Sequence, residues 1–305
     1  MTDTGLPGVV AAGEKRATKA QRRTLRRRLL APPMLLRLFF AAIVVLVFAT
    51  PYLWMIASTF KSRQEIFRYL HPLSWRTFVP LEPTFQNLQR LFIEFDFAQP
   101  LLNSIGVSVA AVVLSIVINS MIAFVLAWIE FPGRRLLFLA ILATLMIAFE
   151  AKLVPLFLIM QNLGLHNTYA SIFLPWITDA FIIFLLRQHL KEIPVELFEA
   201  AILDGCSYFR VFRSVMLPNI VPALVSAAFI KFVFSWDSFI WPSITITDQS
   251  KTVVTVALAK LFSDENVLWE LIFAGSFVAT IPILLLFLFL QRYYIEGMAH
   301  AGVKG

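Results

Sequence analysis

The chain has 305 residues and a net charge of +7, with 59% hydrophobic and only 15% charged residues. Soluble domains are typically about 45–50% apolar and about 25% charged, and a globule of this size has too little interior for so much apolar surface. The low charge argues against intrinsic disorder, and the single cysteine, Cys206, argues against a disulfide scaffold. The composition therefore predicts a helical integral membrane protein.

Six apolar stretches are long enough to cross a bilayer as helices, which takes about 20 residues each. They are continuously apolar, whereas a membrane-spanning strand would alternate apolar and polar side chains. The predicted fold is therefore an all-α membrane protein with six transmembrane helices. The stretches cover residues 38–57, 101–129, 136–160, 170–186, 220–241 and 269–290. We expect one membrane domain, 38–291, between a basic N-terminal tail, 1–37, and a short C-terminal tail, 292–305.

The distribution of positive charge predicts the orientation of the chain. With the N-terminus inside, 17 of the 26 lysine and arginine residues lie in inside segments, 7 in outside segments and 2 within spans. Because positive residues are retained on the cytoplasmic side, both termini are predicted to be cytoplasmic. We interpret the basic run 15–28 as an anchor at anionic headgroups, with a nucleic-acid tail and a secretory signal as alternatives. Most of the positive charge thus reflects topology, and no nucleic-acid partner is expected.

The inside segment 187–218, between the fourth and fifth spans, has the pattern of two amphipathic helices. Pro194 marks the start of the first helix, and Gly205 permits the left-handed turn that would end it. Ser207 can cap the second helix, which is expected to stop before Pro218. The apolar stripe of the first helix suits either docking into another protein or packing against the chain's own bundle. Its residues are Leu197, Phe198, Ala201 and Ile202.

The same segment contains a longer motif. It reads Glu199-Ala200-Ala201-Ile202-Leu203-Asp204-Gly205, followed by Phe212, Leu217 and Pro218. This motif resembles the EAA loop of ABC importer permeases, which has the pattern E-A-A-x-x-D-G and an L-P before the next span. Residues 54–61, 102–104, 236–242 and 296–305 are similar to carbohydrate importer permeases of the maltose type. Cys206 stands where that family usually has Ala, and we interpret it as a packed small side chain.

The resemblance implies one permease subunit of a binding-protein-dependent importer in the bacterial cytoplasmic membrane. An extracytoplasmic solute-binding protein would deliver a sugar, and a second permease subunit, usually a different chain, would complete the path. Two cytoplasmic ATPase subunits would drive transport. The residues that would couple this chain to an ATPase are Glu199, Ala200, Ala201, Asp204, Gly205, Phe212, Leu217 and Pro218. No catalytic residue, cofactor or metal is expected, because the chain has no phosphate-binding loop and no zinc motif.

A membrane-embedded enzyme of lipid-linked sugar metabolism, such as a glycosyltransferase, is the alternative function. Such an enzyme needs a catalytic acidic pair in water or a metal-binding D-x-D motif. The sequence contains neither pattern, so a transport subunit is the favoured interpretation.

Polar and aromatic residues in the predicted spans are candidates for the substrate path. An ionisable side chain in a span costs about 2.5–3.5 kcal/mol on insertion scales, so it normally faces a cavity or a partner. Aromatic faces bind sugar rings, although tryptophans near span ends also form the interfacial belt. Charges paired between helices and small polar residues that join helices are the structural alternatives. The candidates are Asp237, Trp236, Trp241, Asp179, Glu150 and Asn119.

Asp237 carries the most specific of these hypotheses, because it stands where the family commonly has Asn. An ionised carboxylate there would accept hydrogen bonds from adjacent hydroxyls and favour neutral polyols or cationic amino sugars over phosphorylated ones. A pair with Lys231 on the same helix is disfavoured, since the two residues are six apart and helical pairs lie three or four apart.

Overall fold

The computed structural model describes residues 34–69, 74–262 and 267–301. The chain divides into two compact units, the first ending at Trp54 and the second beginning at Met55. Within the described ranges the regular structure is entirely helical, which confirms the predicted all-α class. The helices are α1 Met34–Thr59, α2 Arg63–Arg68, α3 Gln86–Ile93, α4 Ala98–Trp128, α5 Arg134–Ala143, α6 Phe149–Asn162, α7 Tyr169–Phe173, α8 Ala180–Lys191, α9 Val195–Leu203, α10 Tyr208–Val211, α11 Leu217–Asn219, α12 Val221–Trp236, α13 Ile240–Thr245, α14 Val254–Phe262 and α15 Trp269–Ala301.

Three long helices correspond to the first, second and sixth predicted spans. They are the segments Leu36–Thr59, Ala98–Trp128 and Trp269–Gln291, each long and apolar enough to cross a membrane. Such continuous apolar helices satisfy every backbone group internally, as the hydrocarbon core of a bilayer requires. The sequence therefore predicted these three elements to within a few residues.

The third and fourth predicted spans are each broken into two helical arms, and a third break lies just before the fifth predicted span. The chain bends by 103° in the third predicted span, by 49° in the fourth, and by 83° between Tyr208–Asn219 and Val221–Trp236. Pro175 lies beside the second of these bends, and Pro218 and Pro222 flank the third, because proline has no N–H to continue the helical ladder. The described residues thus contain three membrane-crossing helices, or up to six if each bent pair is one span.

The first bend has a different origin from the other two. Helix α5 continues into a 3₁₀ turn at Thr144–Met146, after which Ile147 and Ala148 adopt extended conformations with ψ of 116° and 145°. The Thr144 hydroxyl donates to the Ile141 carbonyl at 2.7 Å, a back-bond that competes with the helical ladder. No proline or glycine lies at this bend. Pro155, the proline of this predicted span, is well inside α6.

Four helices form the centre of the second unit. Helix α4 packs against α8 and α12, and α12 also packs against α15. The first core cluster lies where α4, α8 and the start of α12 meet the segment 193–220. Its buried residues include Phe124, Leu186, Ala201, Val211, Phe212 and Met216. A second core cluster joins α3, the end of α12, α14 and α15 through residues such as Leu91, Phe97, Trp236 and Leu271.

Candidate functional site

The motif 199–205 starts inside helix α9, and the helix ends just before its glycine, as the sequence predicted. Gly205 has φ of +77°, the left-handed region that favours glycine. Its N–H donates to the Ile202 carbonyl at 3.0 Å, and the Cys206 N–H donates to the Ala201 carbonyl at 3.0 Å. This pair of bonds is a Schellman motif. Open space surrounds the position where a Cβ of residue 205 would lie, so the requirement for glycine is one of backbone conformation.

The second helix of the segment departs from the prediction beyond its first turn. Ser207 caps it as expected, accepting a hydrogen bond from the Arg210 N–H at 3.4 Å. A π-helical turn then runs from Phe212 to Met216, and the helix continues as Leu217–Asn219. The prediction that it stops before Pro218 is therefore wrong. The widened turn leads into Pro218, whose missing N–H is tolerated at the start of a new helical turn.

Helix α9 has two faces with different environments. Ala201 is buried in the first core cluster, and the Phe198 ring stacks on Trp128 with centroids 4.9 Å apart. Glu199 and Ala200 are exposed, as are Asp204 and Gly205 at the end of the helix, and Leu203 is 87% exposed. The predicted apolar stripe is divided between these faces, since Leu197 and Ile202 are exposed. Of the other motif residues, Phe212 is buried, Leu217 is half-buried and Pro218 is exposed.

A polar site lies at the bend between α7 and α8, where the helical ladder is interrupted. Asp179 caps α8, and its Oδ1 accepts hydrogen bonds from the N–H groups of Phe181 at 3.0 Å and Ile182 at 3.4 Å. Asn119 of α4 is fully buried beside it. The Asn119 Nδ2 donates to the Ile177 carbonyl at 2.8 Å, and its Oδ1 accepts from the Asp179 N–H at 3.0 Å. Asn119 therefore replaces backbone bonds that the bend removes.

Lys231 of α12 completes this site. Its ammonium forms an ion pair with Asp179 Oδ2 at 3.4 Å and donates a hydrogen bond to the carbonyl of Trp176. The lysine side chain is buried, whereas the Asp179 side chain is 27% exposed. Lys231 is thus paired with Asp179, the N-cap of α8, and not with Asp237. Asp237 is exposed at the end of α12. The only sequence signal for this pair is the presence of opposite charges in two different spans.

A cavity of about 180 Å³ opens beside the ion pair. Four aromatic rings line it, together with two serines and both charges of the pair. Such a combination of apolar walls and a few convergent polar groups is typical of small-molecule sites. The lining residues that carry this character are Phe149, Phe173, Trp176, Phe234, Ser235 and Ser238.

The structure does not bring all the predicted path residues together. Trp236 is buried and stacks on Phe232 with centroids 5.5 Å apart, so it faces neither lipid nor the cavity. Trp241 is fully buried as well, donating its indole N–H to the Ser171 carbonyl at 2.8 Å. Neither tryptophan lines the cavity beside the ion pair, and the part of both in the substrate path stays a prediction. Glu150 is exposed in the first turn of α6 and does not line the cavity.

Metal-binding side chains do not cluster in the part of the chain that the structure describes. No group of three or more His, Cys, Asp or Glu residues there is arranged to hold an ion. The chemistry that this fold offers is therefore a set of apolar helices, a neutral polar site at a bend, and a two-faced loop helix. This combination is that of a helical membrane protein with a polar cavity between its helices.

Comparison with known proteins identifies the family. Residues 120–300 match the model of the binding-protein-dependent transport system inner membrane component, and the chain belongs to this family. It is 35% identical over 256 residues to the arabinooligosaccharides transport system permease protein AraQ of Halalkalibacterium halodurans, covering 84% of this chain and 91% of that protein. It is 34% identical over 253 residues to the diacetylchitobiose uptake system permease protein NgcG of Streptomyces coelicolor, covering 81% of each.

A solved structure has the same fold. The crystal structure of a bacterial ABC transporter involved in the import of the acidic polysaccharide alginate aligns with a TM-score of 0.75 and 22% identity, covering 85% of this chain and 95% of that one. These proteins are all transporter components. The chain is accordingly a transport subunit and not an enzyme, and the alternative of a membrane-embedded sugar-lipid enzyme has no support.

Proposed function

We propose that this chain and a second permease subunit, a different chain, form the path by which an ATP-driven importer moves a sugar across the bacterial cytoplasmic membrane. A solute-binding protein outside the cytoplasm delivers the sugar, and two cytoplasmic ATPase subunits supply the energy. The family supports this proposal, since its members depend on binding proteins. The relatives named above, whose systems take arabinooligosaccharides and diacetylchitobiose, support a sugar as the substrate.

In this proposal the chain crosses the membrane six times, and both termini are cytoplasmic. The bent pairs Arg134–Met146 with Phe149–Asn162 and Tyr169–Trp176 with Ala180–Lys191 each count as one crossing, because their apolar length matches the bilayer only when both arms are included. The fifth crossing is the predicted span 220–241, so that α9 and Arg213 remain on the inner side. The positive charges support the orientation, since the segments on the proposed inner side hold most of the lysines and arginines. At the bend between α7 and α8, Asn119 of α4 and Lys231 of α12 supply hydrogen bonds to the interrupted backbone, as a membrane helix requires.

The observation that carries the proposal is the two-faced helix α9. Its buried face, through Ala201 and Phe198, belongs to the same cluster as α4, α8 and α12. Its other face carries Glu199 and Leu203, which no element of the described part of the chain covers. We assign the exposed face to a cleft on an ATPase subunit, where Glu199 pairs with a basic residue. Movement of the ATPase would then reach the transmembrane helices through the buried face.

The proposed substrate path passes the cavity beside Lys231 and Asp179. The aromatic rings there suit the apolar faces of a sugar ring, and Ser235 and Ser238 suit its hydroxyls. The ion pair leaves no net charge, so the cavity favours a neutral sugar. Asp237 adjoins Ser238 in sequence and is exposed, and we retain it as a group that accepts hydrogen bonds from the substrate.

ATP hydrolysis by the assembled importer, with its binding protein and sugar, tests the coupling role. We expect Glu199→Gln to lower stimulated hydrolysis at least about tenfold, because losing one partner of a desolvated charge pair costs about 2–5 kcal/mol. Glu196→Gln is the matched control, since Glu196 is an exposed glutamate of the same helix outside the motif. Equal hydrolysis in the two variants, with equal amounts of assembled complex, would contradict the proposed docking.

A further inference from the structure

Four cationic side chains lie at the start of α5 and toward the end of α8. They are Arg134, Arg135, Arg187 and Lys191, which we call the basic cluster. Arg187 lies within electrostatic range of Arg134, and Lys191 lies within range of both. No acidic side chain in the described ranges forms an ion pair with any member of the cluster. Within the described residues, no ion pair therefore offsets the mutual repulsion of these charges.

Two of the guanidinium groups are held in place by the end of α4. The Arg187 Nε donates to the Leu126 carbonyl at 3.1 Å, and its guanidinium lies over the Phe138 ring, 4.0 Å from the centroid. The Arg134 Nη1 donates to the Ile129 carbonyl at 3.2 Å. A guanidinium has five N–H donors, so each group keeps further donors for an acceptor outside the chain. These bonds fix the two charges before any ligand arrives, which lowers the entropy cost of binding.

A groove of about 560 Å³ lies beside two members of the basic cluster, Arg134 and Arg135, and has an apolar wall. Leu136 and Leu139 form that wall, and Phe131 and Gly133 complete the lining. These two leucines are 73% and 52% exposed, as expected for a helix that faces hydrocarbon. After its two arginines α5 is entirely apolar, with the sequence Leu-Leu-Phe-Leu-Ala-Ile-Leu-Ala. The positive charge and the apolar surface thus follow one another along a single helix.

We propose that this groove binds the headgroup of an anionic phospholipid. The phosphate would accept hydrogen bonds from Arg134 and Arg135, with Lys191 adding charge, and an acyl chain would lie along Leu136 and Leu139. The assignment to the cytoplasmic leaflet rests on the orientation in the proposed function, and anionic lipids enrich that leaflet. A free phosphate ion would use the same charges, but it would leave the leucine wall uncovered.

The experiment uses the full-length chain in an uncharged detergent, titrated separately with short-chain phosphatidylglycerol, short-chain phosphatidylcholine and inorganic phosphate. We expect phosphatidylglycerol to bind at least about tenfold more tightly than the other two. The double variant Arg134→Gln, Arg135→Gln should weaken that binding about thirtyfold, because each basic residue near a membrane surface is worth a factor of about five. The matched control, Arg210→Gln with Arg213→Gln, removes two exposed charges from the same proposed side and should leave the binding unchanged.

Each outcome decides the proposal. Equal binding of phosphate and phosphatidylglycerol would identify a free-phosphate site, and equal binding of the two lipids would exclude a charged headgroup; both overturn it. If the control variant Arg210→Gln with Arg213→Gln loses as much phosphatidylglycerol binding, the binding comes from general surface charge. That result also overturns the proposal. The single variant Arg135→Gln guards against misfolding, because Arg135 is exposed and its removal should still weaken binding about fivefold. ATPase coupling is not involved in any of these measurements, so the proposed function is tested independently.

Discussion

Lys231 and Asp179 hold two charges inside an apolar bundle because each also satisfies backbone groups at the bend. The lysine reaches the freed carbonyl of Trp176, and the aspartate caps the first turn of α8. Their mutual attraction offsets part of the desolvation cost, which a lone buried ammonium would bear in full. At the scale of single residues, the site is thus stabilised by complete pairing, with Asn119 as its third member.

A rescue experiment tests this interdependence. We expect Lys231→Met to destabilise the chain by about 2–4 kcal/mol, because it leaves the Asp179 carboxylate without its counter-charge. Adding Asp179→Asn should recover part of that loss, since Asn removes the charge and remains a good N-cap. Thermal unfolding of the full chain in detergent should therefore rank wild type, double variant and Lys231→Met in falling order. A double variant less stable than Lys231→Met would show that the pair contributes nothing by its charge.

The sequence predicts the members of this site better than their contacts. Asp179 and Asn119 could be selected because polar groups in apolar spans need partners. Their pairing could not be predicted, because Lys231 and Asp179 are 52 positions apart and meet only when α8 and α12 pack. The surroundings of Trp241 could not be predicted either, because tertiary packing places its ring against Trp176, with centroids 5.7 Å apart.

The segment from α9 to α11 is the element whose local signals were most informative. Proline, glycine and serine act within one turn, so the start of α9, its Schellman end and the cap of α10 follow from neighbouring residues alone. The bend at residues 147–148 has no comparable marker. It coincides with a 3₁₀ turn and a threonine back-bond, which a long apolar run does not reveal.

Two glycines of the same conformation allow the coupling element to be tested against a matched control. Gly205 and Gly164 have φ of +77° and +68°, and both would place a Cβ in open space. We expect Gly205→Val and Gly164→Val to destabilise the chain alike, by about 1–2 kcal/mol, the cost of a left-handed conformation for a residue with a Cβ. Only Gly205→Val should lower stimulated ATP hydrolysis, because it redirects the chain after α9. An equal loss of hydrolysis in both variants would assign the effect to stability alone.

In the second unit, the first core cluster packs the loop helix α9 against helices of the proposed substrate path. The first cluster joins the exposed loop helix to α4, α8 and α12, and two of these helices, α4 and α12, also line the cavity at the bend. A displacement of α9 therefore acts on the elements that line the cavity. Close-packed interiors transmit such displacements because they have few voids to absorb them. The sequence could predict the helices but not this shared packing.

The orientation of the whole chain is the last expectation to be tested, and its single cysteine makes the test direct. In a Cys206→Ala background, a new cysteine is placed at the exposed positions Glu82, Arg135 or Arg213, one at a time. A membrane-impermeant maleimide added to intact cells should label Glu82→Cys and should reach the other two only after the membrane is opened. The reason is the positive-inside rule, which retains the segments around Arg135 and Arg213 in the cytoplasm. Labelling of Arg135→Cys from outside would contradict both the six-crossing topology and the leaflet assigned to the basic cluster.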